Sequence, residues 1–257
     1  FNIYIQNVPK DAEGYDARGY CYSLIGQSNM ALIDYEKAIE LDSSNIDYIN
    51  DKAYELSEIG QYQEAIKYFK KAVEIDPNSS LSYSGIAYSK ALQQDYNGAL
   101  IDLSKAIKLD PNNSDFFTQR AQVREQMDNI IGAQRDYTKA ISINTKDDYA
   151  YYGRGYNFYY SDEIAKAVED FNQCIKINNQ DIDYYYFRGL AYSSDCFNCE
   201  KAVEDFSKVI SMDPQYIDIY YRRGIAYWNI SQNESACSDW LKAAKHKNKH
   251  AKKLYKE

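Results

Sequence analysis

The sequence predicts an all-α fold of about seven stacked helical hairpins, and three observations lead there. The four prolines share one phase of a repeat of about 34 residues. Pro9 to Pro77 is two steps, Pro77 to Pro111 one, and Pro111 to Pro214 three steps plus one residue. Small residues recur in columns at the same period. Within each unit the apolar positions are spaced by 3, 4 and 7 residues, which is one face of a helix. In such an array each unit packs on its neighbours, so a chain of 257 residues need not close around one core.

Proline lacks a backbone N–H and cannot continue a helix, so it marks the same stop in each unit. Residues 1–11 read as the end of a preceding second helix, with Phe1 and Pro9 in phase but bulky Tyr4 at a small-residue place. Seven units follow over 12–250: 12–45, 46–79, 80–113, 114–147, 148–181, 182–216 and 217–250. The eighth place holds Gly19, Ala53, Ala87, Ala121, Gly155, Gly189 and Gly224. Further columns run Ala31, Ala65, Ala99, Ala133, Ala167, Ala202, Ala236 and Ala38, Ala72, Ala106, Ala140, Cys174, Val209, Ala243. Between them stand Tyr35, Phe69, Leu103, Tyr137, Phe171, Phe206 and Trp240. Small side chains let helix axes approach to about 8 Å, and the large ones fill the space beside them.

Each unit therefore reads as two antiparallel helices joined by a short turn, such as Ile59-Gly60-Gln61. The proline place holds Ser43, Thr145 and Asn179 in three units, and the sixth unit carries an extra residue around Ser193–Glu200. Residues 246–257 are expected to extend the last helix as a Lys-rich polar cap.

With "AYELSEIGQYQEAIKYFKKAVEIDPN" across 53–78 and "GYCYSLIGQSNMALIDYEKAIELD" across 19–42, the chain resembles the tetratricopeptide-repeat (TPR) family. The likeness extends over 12 to roughly 244. It implies a right-handed superhelix of helical hairpins whose first helices line a concave groove.

Composition is that of a folded chain, with only 4 Pro and 11 Gly among 257 residues, too few breakers for a disordered linker. Net charge is −8, and residues 242–257, with seven Lys and one Glu, carry +6 of it, leaving −14 on the rest. An acidic body argues against nucleic acid, since phosphate binding needs a basic face. No apolar run of about 20 residues is present to span a membrane. Five cysteines, an odd number, lean towards a reducing, cytoplasmic compartment, with export after removal of a leader before Phe1 as the alternative.

Two charged columns suggest how the hairpins are held in register. Asp34, Tyr68, Asp102, Asp136, Asp170, Asp205 and Asp239 lie on second helices. Arg18, Lys52, Ile86, Arg120, Arg154, Arg188 and Arg223 lie on first helices. Pairing within units leaves Lys52 opposite Tyr68 and Asp102 opposite Ile86. Pairing each acid with the next unit's base removes both mismatches, which predicts inter-repeat pairs Asp34–Lys52, Asp102–Arg120, Asp136–Arg154, Asp170–Arg188 and Asp205–Arg223.

Little in the sequence supports catalysis, a metal or a cofactor. His246 and His250 share a helical face but lie among lysines with no third ligand, which favours solvated side chains. Cys196 and Cys199 form a Cys-x-x-Cys before a helix, where a thiol pKa falls and a redox role is open. No second Cys pair completes a zinc site, so a metal-free loop pair is the plainer reading. Cys21, Cys174 and Cys237 fall at core or helix-face positions. Acids at the second place (Glu13, Asp47, Asp115, Asp183, Asp218) form either a ladder for a basic ligand or, more simply, support for first helical turns.

The groove is the expected site. Its first-helix places carry Tyr20, Tyr54 and Tyr88, then Tyr149, Tyr152, Tyr156, Tyr159, Tyr186, Tyr221 and Trp228, with Tyr160 nearby. Tyrosine offers an apolar face and a hydroxyl tip at low entropic cost, which suits extended peptides. The plainer reading is that these rings pack between first helices. Family members that grip a C-terminal carboxylate use Lys and Asn at these places. Here Asp16, Tyr20, Asn50 and Tyr54 stand there without a Lys, so an uncharged, aromatic or basic segment suits the groove better. The sequence thus points to a non-enzymatic scaffold for a partner protein or peptide, monomeric or weakly self-associating. Alternatives are an assembly module docking through its ends, or the regulatory part of a larger protein.

Overall fold

The computed structural model describes residues 2–194 and 198–245. Fifteen helices and no strand occur among the described residues. The chain divides into two compact units, Phe1–Ile143 and Asn144–Glu257.

The first unit holds α1 (Asn2–Asn7), α2 (Ala12–Leu24), α3 (Ser28–Leu41), α4 (Ile46–Glu58), α5 (Tyr62–Ile75), α6 (Ser80–Leu92), α7 (Tyr96–Leu109), α8 (Ser114–Glu125) and α9 (Ile130–Ile143). The second holds α10 (Asp148–Tyr160), α11 (Ile164–Ile177), α12 (Ile182–Ser193), α13 (Cys199–Met212), α14 (Ile217–Asn229) and α15 (Asn233–Lys245). Each even-numbered helix from α2 packs on the helix that follows it, and within each unit successive hairpins pack on one another.

Side-chain size explains this packing. Tyr35, Phe69, Leu103, Tyr137, Phe171, Phe206 and Trp240 are all no more than 5% exposed, and the alanines flanking them on the same helices are fully buried. Burying one such ring stabilises the fold by about 2–3 kcal/mol. The eighth-place small residue is where the ring meets the facing helix. A Cβ on Gly224 would lie 2.4 Å from the Trp240 indole nitrogen, and one on Gly189 would lie 2.6 Å from the Phe206 ring. Tyr4 is accommodated in the same way, since a Cβ on Gly14 would meet its ring at 2.9 Å.

The turns inside hairpins need a left-handed residue. Gly26 (φ 72°) and Gly60 (φ 81°) supply it without strain, whereas Gln94, Asp128, Asp162 and Ser231 adopt φ between 56° and 65° with a side chain present. Between hairpins an Asx turn recurs. Asp42, Asp76, Asp110, Asn144, Asn178 and Asp213 each accept from the backbone N–H two residues on, at 2.9–3.1 Å. This bond closes the turn whether or not proline follows, which explains why Ser43, Thr145 and Asn179 are tolerated there.

First helices start on side-chain caps: Asn45, Ser79, Asn113, Asp147 and Asp181 accept from backbone N–H groups at 2.9–3.2 Å. Each such cap contributes about 1 kcal/mol. The acids Glu13, Asp47, Asp115, Asp183 and Asp218 stand in first turns. In that position they favour the helix dipole. Before Asp47, Asp115 and Asp183 the cap bond itself comes from the residue two before, whereas Asp11 and Tyr216, before Glu13 and Asp218, make no side-chain cap bond.

The expected pairing of acids with the next hairpin's base is overturned. Asp34, Asp136, Asp170, Asp205 and Asp239 are each clasped within their own hairpin by Arg18, Arg120, Arg154, Arg188 and Arg223. Arg18 does so through Nε and Nη2 at 2.7 and 2.6 Å, and Arg154 at 2.9 and 2.7 Å. The base precedes the small residue at which the two helices approach most closely, so a short buried carboxylate lies directly opposite it.

The two mismatches are repaired locally. Lys90, one turn beyond Ile86, donates to Asp102 at 2.6 Å, and Arg124, its equivalent one hairpin on, joins Arg120 on Asp136 at 2.6 Å. Lys52 donates to the Tyr68 hydroxyl at 2.7 Å. Long cationic side chains can serve an acid from a turn away, so matching columns by charge does not identify partners.

Links between hairpins exist, but through other residues. The same bases reach back to the hairpin before: Lys52 to Glu36, Arg188 Nη1 to Asn172 at 2.7 Å, and Arg223 Nη1 to Ser207 at 2.9 Å. Arginines also lie between aromatic faces. Arg188 is 5.7 and 5.9 Å from the Tyr185 and Tyr192 ring centres, and Arg223 is 5.8 and 5.4 Å from Tyr220 and Tyr227. Each such contact adds about 0.5–1 kcal/mol. Much of the tyrosine in this chain thus serves its arginines.

Candidate functional site: the first-helix faces

In the second unit the faces of α10 and α12 form one connected set of rings. Phe187 is its centre, with ring centres 5.7 Å from Tyr152, 5.2 Å from Tyr156, 6.5 Å from Tyr159, 5.2 Å from Tyr186 and 6.2 Å from Phe171. Tyr152 also meets Tyr184 at 5.5 Å and Tyr149 at 6.4 Å, and Tyr186 stacks on Tyr216 at 5.6 Å. Tyr160 extends the set, 4.6 Å from Tyr156 and 5.1 Å from Tyr159.

Of the residues expected from sequence, Tyr149, Tyr152, Tyr156, Tyr159 and Tyr186 come together here. Tyr221 packs partly buried against the core, and Trp228 lies on Trp240 at 5.8 Å in the last hairpin. The inner rings are half-buried, so the plain packing role holds for part of each. The ends remain open: Tyr149, Tyr160 and Trp228 are 58%, 66% and 53% exposed.

Phe187 was missed by the sequence reading. Its signal was an exception in a column: the sixth place otherwise holds Ala17, Asp51, Gly85, Gln119, Gly153 and Arg222. A lone ring in a small or polar column marks a place where neighbouring rings converge.

In the first unit, Tyr54 packs edge-on to Phe69 at 4.9 Å and lies 6.3 Å from Tyr88, while Tyr20 is 57% exposed. The Tyr88 hydroxyl donates to Glu58 at 2.6 Å. Burial, then that carboxylate, pushes the Tyr88 pKa up to about 12. Asn50 is buried and accepts from Ser82 at 2.9 Å, so it does not face outward. Asp51, itself half-buried, is hydrogen-bonded to Asp16, whose pKa is pushed up to about 7 by burial, then by Asp51, Asp47 and Glu13. The first-helix face here is acidic and phenolic.

Tyr186 is likewise held up at about 12, chiefly by burial, then by Tyr216. These hydroxyls stay protonated at neutral pH with their protons already given within the protein, Tyr88 to Glu58 and Tyr186 to Tyr216, so their oxygens are left to accept.

Cys199 is buried at the start of α13 and is disulfide-bonded; Cys21, Cys174 and Cys237 are free, with Cys174 buried. Cys196, His246, His250, the turn around 195–197 and the Lys-rich segment 246–257 lie outside the described residues. Among the described residues, no group of three or more His, Cys, Asp or Glu side chains is placed to hold a metal ion. No helix there is long and apolar enough to cross a membrane.

Comparison with known proteins agrees with this architecture. Family models described as tetratricopeptide repeat or TPR repeat match residues 12–45, 47–79, 149–181 and 198–231, about half of the chain. The chain belongs to the tetratricopeptide-repeat family. Among solved structures it is similar to MamA, at 28% identity over 65% of this chain and 97% of that one, with a TM-score of 0.60. It is also similar to YrrB, described as a TPR protein with an unusual peptide-binding site, at 22% identity over 77% and 97%, TM-score 0.56. The C-terminal part of a TPR repeat-containing protein from Cytophaga hutchinsonii shares the fold at 17% identity over 91% and 97%, TM-score 0.71. No match is found among curated protein sequences.

Proposed function

We propose that this chain is a non-enzymatic interaction scaffold that binds an extended segment of a partner protein on the tyrosine-rich faces of its first helices. TPR folds serve as protein–protein interaction scaffolds in general. The observation that carries the particular reading is the ring set around Phe187. Its inner members are braced by one another, while Tyr149 and Tyr160 present open faces at its edge. Braced rings lose little freedom on contact, and exposed apolar surface of this kind marks contact sites.

The partner's chemistry follows from the face. Phenol rings offer apolar faces and hydroxyl oxygens to a peptide, and the acidic surroundings favour aromatic, uncharged or basic side chains over nucleic acid. The test is capture of partners from a lysate of the source organism by wild type and by Tyr152→Ala with Tyr186→Ala. The same partner should be retained by wild type and lost by the double variant, with both chains folded by circular dichroism. Equal capture by both would reject this face as the site.

A further inference from the structure

The first unit contains a cavity of about 360 Å³ between α6, α7 and α8, and its origin lies in two breaks of the repeat pattern. The buried ring column reads Tyr35, Phe69, Leu103, Tyr137, so the third hairpin alone in this unit lacks a ring there. The ninth place reads Tyr20, Tyr54, Tyr88 and then Gln122. One hairpin earlier, Tyr54 has two ring neighbours, Phe69 edge-on at 4.9 Å and Tyr88 of the next hairpin at 6.3 Å. Tyr88, the counterpart of Tyr54 in the third hairpin, has neither ring neighbour: Leu103 stands in the place of Phe69, and Gln122 of the fourth hairpin in the place that Tyr88 itself takes beside Tyr54.

The lining specifies an occupant. Ala91, Leu103 and Val123 form an apolar floor, Tyr88 a wall, and Gln122 and Gln126 the rim. No charged side chain lines it. The volume is at the lower end for ligand pockets, which span about 300–1,000 Å³, so it suits one ring rather than a nucleotide or a large cofactor. A charged side chain would lose its hydration without a partner. Rim amides each offer a donor and an acceptor, which match the N–H and C=O flanking a side chain in an extended peptide. Gln119 shows such an amide already engaged, accepting from Ser84 at 2.7 Å.

We infer that this cavity receives a single uncharged aromatic side chain of the partner segment, in the place where the array omits a ring of its own. The inference rests on the reading that first-helix faces are the contact surface, and it names the residue class the partner must carry.

The test uses the full chain, labelled with ¹⁵N and titrated with N-acetyl-phenylalaninamide, with the alanine and lysine amides as controls. A ligand so small binds at about millimolar strength at best. Saturable shifts should centre on Ala91, Val123 and the Gln122 and Gln126 side chains for the phenylalanine amide, and stay absent for both controls. Filling the cavity with Leu103→Phe should weaken that binding at least about tenfold, a loss of about 1.4 kcal/mol. Gln122→Tyr is the second filling variant should Leu103→Phe melt early. Absent or scattered shifts with wild type, equal response to the lysine amide, or unchanged binding in a folded filled variant would each overturn the pocket. Loss of partner capture in the Tyr152 and Tyr186 double variant alongside a silent pocket would reject only this inference. Capture unaffected by that pair would instead reject the site proposed on α10 and α12.

Discussion

Arg188 clasps Asp205 across its hairpin with parallel hydrogen bonds of 2.8 and 2.6 Å, while its third nitrogen reaches Asn172 of the hairpin before at 2.7 Å. One guanidinium thus fixes both the closure of a hairpin and its register on the previous one. Burial pushes the Asp205 pKa up, and the Arg188 hydrogen bond opposes this. Arg188→Met should therefore destabilise the second unit by about 2–3 kcal/mol at pH 7, because it leaves a buried carboxylate unpaired. The loss should shrink at pH 4.5 as Asp205 takes up a proton. Urea unfolding at the two pH values checks this, and a loss independent of pH would contradict the account.

The left-handed turn residue offers a second check. Gly60 sits at φ 81° with nothing near its missing Cβ. Any cost of Gly60→Ala is therefore backbone strain alone, expected at about 1–2 kcal/mol less the small gain from a stiffer unfolded chain. Gln94→Gly, at the equivalent turn, should be neutral or slightly stabilising. Thermal melts of both variants decide, and a stabilised Gly60→Ala would refute the strain argument.

Asp16 and Asp51 predict a pH dependence of the first unit. The folded pKa of Asp16 is about 7, against about 3.9 for a free aspartate. Between these values the folded chain keeps a proton that the unfolded chain has lost, so stability must fall as pH rises from about 4 to 7. Asp16→Asn removes the titration while retaining a donor towards Asp51. It should be the more stable protein at pH 8 and show a flatter profile, as measured by denaturant unfolding from pH 4 to 8. Parallel profiles would show that Asp16 titrates normally.

Packed and open rings should separate by mutation. Phe187→Ala removes the ring against which five others lie and should cost about 2–4 kcal/mol. Tyr149→Ala with Trp228→Ala removes mostly exposed rings and should change stability by no more than about 0.5 kcal/mol. If the site is as proposed, that exposed pair should still weaken partner capture, as measured by pull-down against the folded wild type.

Periodicity alone was enough to locate helices, turns and buried columns, because those depend on side-chain size at fixed spacing. The alanine columns and the rings from Tyr35 to Trp240 are legible in that way. The Asx turns were legible too, in the Asp or Asn before each proline place, but proline drew the attention. Partner choice was not. Asp102 finds Lys90 instead of Arg120 because a long flexible side chain reaches across a helical turn, and spacing carries no information about reach.

What the sequence by itself determined is therefore the repeat: its length, its two helices and the residues each hairpin must bury. Only the tertiary structure decided which tyrosines sandwich arginines, which gather around Phe187, and where Leu103 and Gln122 together leave room for a ring from elsewhere. The reason is physical. Burial follows from local pattern, whereas contact between side chains depends on helix separation and crossing, which are set only when the hairpins pack.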